Sequence, residues 1–434
     1  MLPSATTELV IDGAVAWLLA ALVCYVFLRR IVYNVLDPLV ITNVAIPFSA
    51  ALLAVLCSTD LVAWDKLTLF CAVLLAYLVG ARCAGAFFGR ARFRETILGA
   101  LEGISENQVV ATLVVTVLIT AMLGALGIAL GAEGDERLSF GKLFRPLLLV
   151  QNGLFLCSLV LLLAPSVPKP RAWLWLILLT ALSVPFSGKA VLLPAVFWVG
   201  LRLYLQQRRI RLRTIFWSVL AIAAGVTVMG VLAYSTTSPA AAFLLFTNRL
   251  WMSGDVYIFA YQRDTLASTH ADYPVSFASY VLHPLTSLVG LRGYDKPLGS
   301  MLASEVMHDD LLTGPNPQLP VVLDFFFDNY AAIAGIALLT GFLVIGIRPL
   351  CAHLASTSRS RYVRIGSLAA AIFAPGAGFL DTSLVVMALV GIIAATGLLV
   401  ALELTWTAPP RPSITPDENR SRGSPQHTLP TSTS

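Results

Sequence analysis

Charged residues are scarce in this 434-residue chain: Asp, Glu, Lys and Arg make up 12% of it, whereas 57% is hydrophobic. Soluble domains carry roughly 25% charged residues, so a water-soluble fold could not hide this much apolar surface in one core. A lipid bilayer solvates such a surface directly. The composition therefore predicts an integral membrane protein, and the scattering of its basic residues argues against a nucleic-acid partner.

Several catalytic signatures are also missing. The sequence has no glycine-rich loop ending in Gly-Lys-Ser/Thr, no His-Glu-x-x-His zinc motif, no Gly-x-Ser-x-Gly nucleophile elbow and no Cys-x-x-Cys pair. These absences weigh against an ATP-driven pump, a zinc hydrolase and a serine hydrolase. We expect neither a cofactor nor a bound metal.

Basic residues are absent from the first 12 positions, which contain the acids Glu8 and Asp12. A secretory signal peptide begins with a basic segment. The first apolar run is therefore predicted to stay in the protein as a membrane span.

The sequence does contain a series of apolar runs, most of them close to the roughly 20 residues that a helix needs to cross a bilayer. We count about eleven, of which the last two could form one broken helix. They lie near residues 11–28, 39–57, 67–86, 108–131, 146–164, 172–186, 190–206, 215–234, 321–347, 365–380 and 383–402. The predicted fold is an all-α polytopic transmembrane bundle over residues 1–407, with a disordered tail over 408–434.

The basic residues between these runs predict the orientation of the chain. Loops on one side, together with the tail, carry 20 Lys and Arg residues, and loops on the other side carry nine. Cytoplasmic loops are enriched in Lys and Arg. The N-terminus is thus predicted to be periplasmic, the 408–434 tail cytoplasmic, and a large loop over 235–320 periplasmic.

That loop is far longer than a connection needs to be, and long loops are often functional. It is rich in Phe, Tyr and Trp interleaved with charged residues, and segments 241–259 and 275–291 have the pattern of short amphipathic helices. Aromatic rings stack on sugar C–H groups, while charged side chains bind hydroxyls. The pattern indicates a glycan-binding surface; the plainer alternative is a lid anchored by its aromatics at the membrane surface.

Two segments beside the loop carry further candidate residues. Lys189 lies between two apolar runs, where a cation is costly unless it pairs, binds a ligand or reaches the outer surface. The Gly- and Pro-rich stretch 314–320 predicts a rigid turn before a span. Asp324 and Asp328 follow at i,i+4 spacing and are predicted to share a helix face, as a functional pair or as acids that offset a helix dipole.

Four short motifs give the chain a resemblance to the oligosaccharide repeat-unit polymerases, the O-antigen polymerase family of bacterial envelopes. They are Arg29-Arg30 with Leu36-Asp37-Pro38, Ser187-Gly188-Lys189, Asn248-Arg249 with Ser253-Gly254-Asp255, and Gly314-Pro315-Asn316-Pro317 before Gly335. The second motif differs from the family's common Ser-Gly-x-Arg, because its cation is Lys189 and stands one position earlier.

The resemblance implies a metal- and nucleotide-independent glycosyltransferase of the bacterial inner membrane. Its substrate would be an oligosaccharide repeat unit on undecaprenyl pyrophosphate, polymerised at the periplasmic face. Such chemistry needs cations for the pyrophosphate and a base for the acceptor hydroxyl. The candidate ligands of the pyrophosphate and glycan are Lys189, Arg249, Arg263, Arg292 and Asn316. The candidate bases are Asp255, Asp272, His270, His283 and Asp324.

Two other functions share these features. One is a transporter or flippase for lipid-linked glycans, and the other is a ligase that joins a glycan to a different acceptor. The odd span count, the absence of a visible internal repeat and the long loop favour the polymerase over the transporter. Besides its lipid-linked substrate and membrane lipid, the expected partners are a chain-length regulator and a flippase of the same pathway.

Overall fold

The computed structural model describes residues 7–87, 93–129, 144–187, 192–207, 255–261, 265–272, 275–288, 298–307 and 316–407. Throughout these ranges the regular structure is helical, with no strand, so the all-α prediction is confirmed. The predicted span near 215–234 and the tail over 408–434 lie outside the described residues.

The first half of the chain forms nine described helices. They are α1 (Thr7–Leu28), α2 (Pro38–Asn43), α3 (Ala45–Ser58), α4 (Trp64–Phe87), α5 (Phe93–Leu101), α6 (Glu106–Ala129), α7 (Arg145–Leu161), α8 (Lys169–Ser187) and α9 (Leu192–Leu205). Asp37 caps α2 by accepting a hydrogen bond from the Leu39 backbone N–H, and Pro38 occupies the first helical position, where its missing N–H costs nothing.

The second half forms eight more α-helices within the described ranges. They are α10 (Asp255–Tyr261), α11 (Thr265–Asp272), α12 (Phe277–Leu288), α13 (Leu298–Met307), α14 (Leu319–Phe326), α15 (Tyr330–Thr357), α16 (Arg361–Phe373) and α17 (Thr382–Thr407). A 3₁₀ turn over Ala374–Ala377 follows α16.

Within the described ranges, six helical segments are long and apolar enough to cross a membrane. They are Leu9–Leu28, Pro38–Ser58, Trp64–Phe87, Glu106–Leu126, Tyr330–Thr357 and Thr382–Glu403. Large apolar side chains such as Leu18, Leu22 and Leu118 are exposed on them, as expected for surfaces that face lipid. The chain is therefore a multi-pass membrane protein by its helices, whereas the count of eleven spans stays a prediction.

The closest helix pairs meet through glycine. A Cβ atom on Gly80 of α4 would collide with the Leu338 backbone of α15, and one on Gly341 of α15 would collide with the Tyr77 backbone. Small residues let membrane helices approach until their backbones touch. This contact joins α4 and α15 into the central pair of the bundle.

The described helices of the predicted 235–320 loop, which we call the outer helices, pack onto the membrane bundle. Tyr257 of α10, Tyr280 of α12 and Leu302 of α13 are buried in the same hydrophobic cluster as residues of α1, α3, α4 and α14. Helix α12 lies within the predicted 275–291 segment. Helix α10 overlaps the end of the predicted 241–259 segment, the rest of which lies outside the described residues.

The structure corrects the predicted span over 321–347. Helix α14 ends at Phe326, because Phe327 is extended (φ −140°, ψ 128°), and the Asn329 side chain starts α15 by accepting from the Ala331 and Ala332 backbone N–H groups. Asp328 is therefore outside the helix that carries Asp324. The prediction that these two carboxylates share a helix face is wrong.

The predicted span over 365–380 is also interrupted. Helix α16 ends at Phe373, and Pro375 lies in the 3₁₀ turn Ala374–Ala377 that follows. Proline removes a backbone hydrogen bond and clashes with the preceding helical turn. A Cβ on Gly366 of α16 would meet the Thr396 side chain of α17, so these two helices pack as separate elements rather than as one broken helix.

Candidate functional site

A short segment ahead of the late span reaches into the bundle. Gln318, which is 1% exposed, donates from its amide nitrogen to the Ser49 hydroxyl at 2.7 Å, and its amide oxygen accepts from the Tyr257 hydroxyl at 2.9 Å. Ser49 lies midway along the Pro38–Ser58 helical segment. We call residues 316–326 the inserted segment, because Gln318 reaches that midpoint and α14 follows directly after it.

One backbone hydrogen bond connects the inserted segment to the interruption after α16, and a side chain of α2 bonds to the same interruption. The Leu319 N–H donates to the Phe379 carbonyl at 3.0 Å, and the Thr42 hydroxyl donates to the Gly376 carbonyl. Non-helical backbone at membrane depth is tolerated where it is buried in protein or lines an aqueous cavity. The inserted segment and the break over 374–381 therefore satisfy part of each other's backbone.

A buried carboxylate lies at the end of that break. Asp381, 8% exposed, accepts from the Ser383 backbone N–H at 2.8 Å, so it caps α17, and from the Tyr280 hydroxyl at 3.2 Å. Burial raises the pKa of the Asp381 carboxyl, because a charged carboxylate is poorly solvated there. Tyr280 belongs to α12, so this contact joins an outer helix to the last membrane helix.

An imidazole lies on the same outer helix. His283 follows Tyr280 by three residues, which places the two side chains on neighbouring positions of one helix face, and His283 is 6% exposed. The Tyr280 ring packs on Phe326 at 5.6 Å between centroids. We define the outer site as Tyr257, Tyr280, His283, Gln318 and Asp381.

A partly exposed ion pair lies beside α14. Lys66, at the start of α4, contacts an Asp324 carboxylate oxygen at 2.9 Å. The Lys66 ammonium also lies 5.1 Å from the centre of the Tyr261 ring, within the range of a cation–π contact. Asp324 is thus held by a cation from another helix.

Of the predicted site residues, three have described side chains in or near the outer site. His283 lies in it, Asp324 pairs with Lys66, and Asp255 is half-buried at the first turn of α10. Asn316 is exposed at the start of the inserted segment, and exposed His270 packs edge-on against Phe325 at 5.0 Å. These last two are solvent-exposed and are not among the residues that form the outer site.

The remaining predicted residues cannot be placed against it. Asp272 ends α11, and its side chain lies outside the described residues. Lys189, Arg249, Arg263 and Arg292 lie entirely outside them. Among the described residues, no group of three His, Cys, Asp or Glu side chains comes together in a way that could hold a metal ion.

Sequence reasoning missed the central carboxylate. Asp381 was part of a gap between two apolar runs, and only its partner on α12 distinguishes it from an ordinary helix cap. Gln318 lies within the Pro-rich stretch 314–320, and Lys66 is one of the nine basic residues on the predicted periplasmic side. A useful signal for Asp381 would have been an acid directly after a Pro- and Gly-containing interruption, where membrane helices commonly carry function.

A buried ion pair lies at the opposite end of the bundle. The Arg348 guanidinium of α15 contacts both Asp37 carboxylate oxygens at 2.9 Å, and its side chain is 7% exposed while that of Asp37 is 0% exposed. Arg348 also donates to the Ile31 and Ala371 carbonyls at 3.2 Å. These hydrogen bonds link the α1–α2 connection, α15 and α16, so the role of the pair is to join these elements.

Comparison with known protein families, with curated proteins and with solved structures finds nothing that matches the chain. The chemistry of the outer site must therefore be read from its own groups. A buried carboxyl, a phenol and an imidazole can move protons, and the amide of Gln318 can bind hydroxyl groups. Their position beside membrane helices suits a substrate with a polar head and an apolar tail.

Proposed function

We propose that this protein is an integral-membrane glycosyltransferase that polymerises oligosaccharide repeat units carried on undecaprenyl pyrophosphate. The observation that carries the proposal is the outer site itself. Tyr280 of α12 lies in a hydrophobic core shared with membrane-crossing helices, and its hydroxyl donates to the buried Asp381 of the α16–α17 connection. A lipid-linked sugar needs this combination, because its reacting end is polar while its carrier remains in the bilayer.

The proposed reaction uses no nucleotide, because the pyrophosphate of the lipid carrier is the leaving group. An acceptor hydroxyl oxygen forms a new bond to the anomeric carbon of the donor, and the bond from that carbon to the pyrophosphate oxygen breaks. The proton of the hydroxyl passes to a base, for which Asp381 and His283 are the first candidates. The lipid pyrophosphate departs with the bonding electrons, and Lys189, Arg249, Arg263 and Arg292 are the proposed cations that bind it.

The proposal includes a location. The protein would lie in the bacterial inner membrane, with the outer site and the N-terminus periplasmic and the tail cytoplasmic, as the charge asymmetry predicts. A flippase would deliver the lipid-linked units, and a chain-length regulator would contact the polymerase. The family resemblance and the charge asymmetry of the sequence support this placement.

A transporter of lipid-linked glycans is the second candidate, and one observation favours it. Two discontinuous elements, the inserted segment and the break over 374–381, contact each other inside the bundle. Interrupted helices that meet at a central site are common in secondary transporters. In a polymerase, the same interruptions would serve to hold a carboxylate at the outer end of α17.

Deletion of the gene in its native host separates these functions. A polymerase deletion should leave single repeat units attached to their final acceptor, because assembly and transport of each unit continue. Complete units trapped on the cytoplasmic face would favour the transporter, and long chains left on the carrier lipid would favour the ligase.

Complementation of that deletion tests the outer site. Wild type and Asp328→Asn, an exposed carboxylate that follows α14, should restore long chains. Asp381→Asn should restore folded protein but chains of few units. Equal chain lengths from the two variants would remove Asp381 from the reaction.

A further inference from the structure

Three helices are held around one short turn, residues 376–378, in the interruption between α16 and α17. The Thr42 hydroxyl of α2 donates to the first carbonyl of this turn, and the Asp381 N–H, just before α17, donates to the second at 2.9 Å. A Cβ atom added to the last residue, Gly378, would lie 2.9 Å from the Tyr77 hydroxyl oxygen of α4. Side chains of α2, α4 and α17 near these contacts therefore converge on the same few atoms of backbone.

Each of the three helices brings a buried polar side chain without a hydrogen-bond partner to this turn. Asn43 of α2 is 4% exposed, Tyr77 is 1% exposed and Thr382 of α17 is 7% exposed. Among the described residues, both amide atoms of Asn43 and the hydroxyl oxygens of the other two have no partner. Asn43 directly follows Thr42, and Thr382 directly follows Asp381, so each is next in the chain to a residue that bonds the turn.

The helix faces that carry these side chains meet in one hydrophobic cluster. Three or four residues along each helix, and so on the same face, the neighbours of Asn43, Tyr77 and Thr382 are Leu39, Ala81 and Val385. All three neighbours belong to a cluster that also contains Val344 of α15, whose side chain lies against Gly378. The polar side chains thus lie at the edge of one cluster, beside the turn. Buried polar groups of this kind are costly to leave unpaired.

The chemistry of these groups suits a cation of single charge. Amide, phenol, hydroxyl and carbonyl oxygens are neutral ligands, and interrupted backbone and half-helix C-terminal ends coordinate Na⁺ in membrane proteins. Helix α16 directs the negative end of its dipole toward the turn that follows it. The nearest buried cation on α15, Arg348, is neutralised by two hydrogen bonds to Asp37. Ca²⁺ and Mg²⁺ are bound chiefly through carboxylates, which the three side chains do not supply.

We propose that Asn43, Tyr77, Thr382 and the backbone of the 376–378 turn bind an alkali-metal cation inside the bundle. The cation contacts the oxygens that have no partner within the protein, and it holds α2, α4 and α17 around the interruption. The site contains no residue of the outer site and goes beyond the proposed glycosyl transfer.

The test measures thermal unfolding of the full-length protein in detergent at constant ionic strength. Sodium chloride or potassium chloride replaces choline chloride in steps, and tryptophan fluorescence gives the melting temperature. Wild type should melt several degrees higher in at least one alkali cation, with saturation, because a ligand that binds only the folded state stabilises it. Tyr77→Phe and Thr382→Val each remove one oxygen. Each should raise the half-saturating cation concentration about tenfold, the usual size of the loss of one contact to a charged group.

Matched controls change the same residue types away from the turn. They are Tyr25→Phe, whose ring is exposed on α1, and Thr68→Val, whose hydroxyl bonds the Trp64 carbonyl of its own helix. Both should keep the wild-type cation dependence. Equal melting temperatures of wild type in sodium, potassium and choline would mean that water alone satisfies these atoms and would overturn the proposal, whether or not the variants fold. A cation effect that Tyr77→Phe and Thr382→Val leave unchanged would place the cation elsewhere and would also overturn it. The readout needs no glycan, so its outcome is independent of whether the proposed polymerase activity is correct.

Discussion

At the scale of single residues, Asp37 and Arg348 form the most deeply buried ion pair of the described chain. Removing one partner of such a pair leaves an uncompensated buried charge, which costs about 3–5 kcal/mol. Asp37→Ala should therefore lower the free energy of unfolding by about that amount and sharply reduce the melting temperature in detergent. The same measurement on Asp324→Ala, whose partner Lys66 is 26% exposed, should show a loss of roughly 1 kcal/mol. Equal losses would contradict the structural role of Arg348.

The buried carboxyl of Asp381 predicts that the stability of the folded protein depends on pH. Burial raises the pKa of its carboxyl in the folded protein above the value of about 3.9 expected in an unfolded chain. The folded state then binds this proton more tightly, so stability is greatest below the unfolded pKa and falls as pH rises through the folded pKa.

Asp381→Asn removes that titration. Melting curves of wild type should show a loss of stability across this window, and Asp381→Asn should show a smaller loss. Asp328→Asn, an exposed acid, serves as the control and should follow wild type. Parallel curves for all three proteins would mean that Asp381 does not titrate as the burial argument requires.

The sequence alone predicts only part of the residue pairing and of the outer site. The motif Leu36-Asp37-Pro38 was singled out by resemblance, but its meaning became clear only when Arg348, more than 300 positions later, proved to be its partner. His283 was predicted from its chemistry and is buried in the outer site. Long-range pairing of this kind depends on packing that local patterns do not encode.

At the scale of elements, the contact between α4 and α15 depends on two glycines. A Cβ on Gly80 would collide with the Leu338 backbone, which cannot rotate away as a side chain could. Gly80→Ala should therefore separate the helices and destabilise the protein by about 1–3 kcal/mol. Gly335→Ala on α15 is the matched control, because a Cβ there meets nothing within 4 Å. Fluorescence-detected size-exclusion after heating measures both, and an equal response would contradict the close packing.

Element boundaries followed from the sequence where an apolar run ended in polar residues. The runs near 11–28, 39–57 and 67–86 correspond to helical segments Leu9–Leu28, Pro38–Ser58 and Trp64–Phe87. The helix ends in the two late apolar runs were harder to predict from the sequence. Apolar residues continue through the extended backbone at Phe327 and through the 3₁₀ turn after Phe373. The interruption over 374–381 is largely buried like the helices around it, whereas Asp328 and Asn329 of the other interruption are exposed.

At the scale of the whole molecule, the charge asymmetry predicts which ends of the helices face the cytoplasm. A reporter fused after Ile210 should show a cytoplasmic location, and one fused near Ser268 should show a periplasmic location, since 20 basic residues lie on the first side and nine on the second. Paired reporters that are active on opposite sides of the membrane measure this directly. A cytoplasmic result at Ser268 would overturn the orientation and, with it, the periplasmic position of the outer site.

The sequence was sufficient to predict a helical membrane protein, whereas it did not predict which residues come together in the outer site. Low charge and repeated apolar runs are global properties, and they correctly indicated an all-helical multi-pass membrane protein. The outer site is assembled from α10, α12, the residue that caps α14 and the α16–α17 connection, and its residues, from Tyr257 to Asp381, are separated by up to 124 positions. Such convergence is set by tertiary packing alone.

The most direct measurement of glycan polymerisation uses purified protein in proteoliposomes. Lipid-linked repeat units from a strain lacking this gene are supplied without nucleotide, and products are separated by size. We predict a ladder of glycans that grows with time, releases undecaprenyl pyrophosphate in equal number to the new bonds, and is lost in Asp381→Asn but kept in Asp328→Asn. Unchanged single repeat units with the folded wild-type protein, or their movement across the vesicle membrane without elongation, would contradict the account.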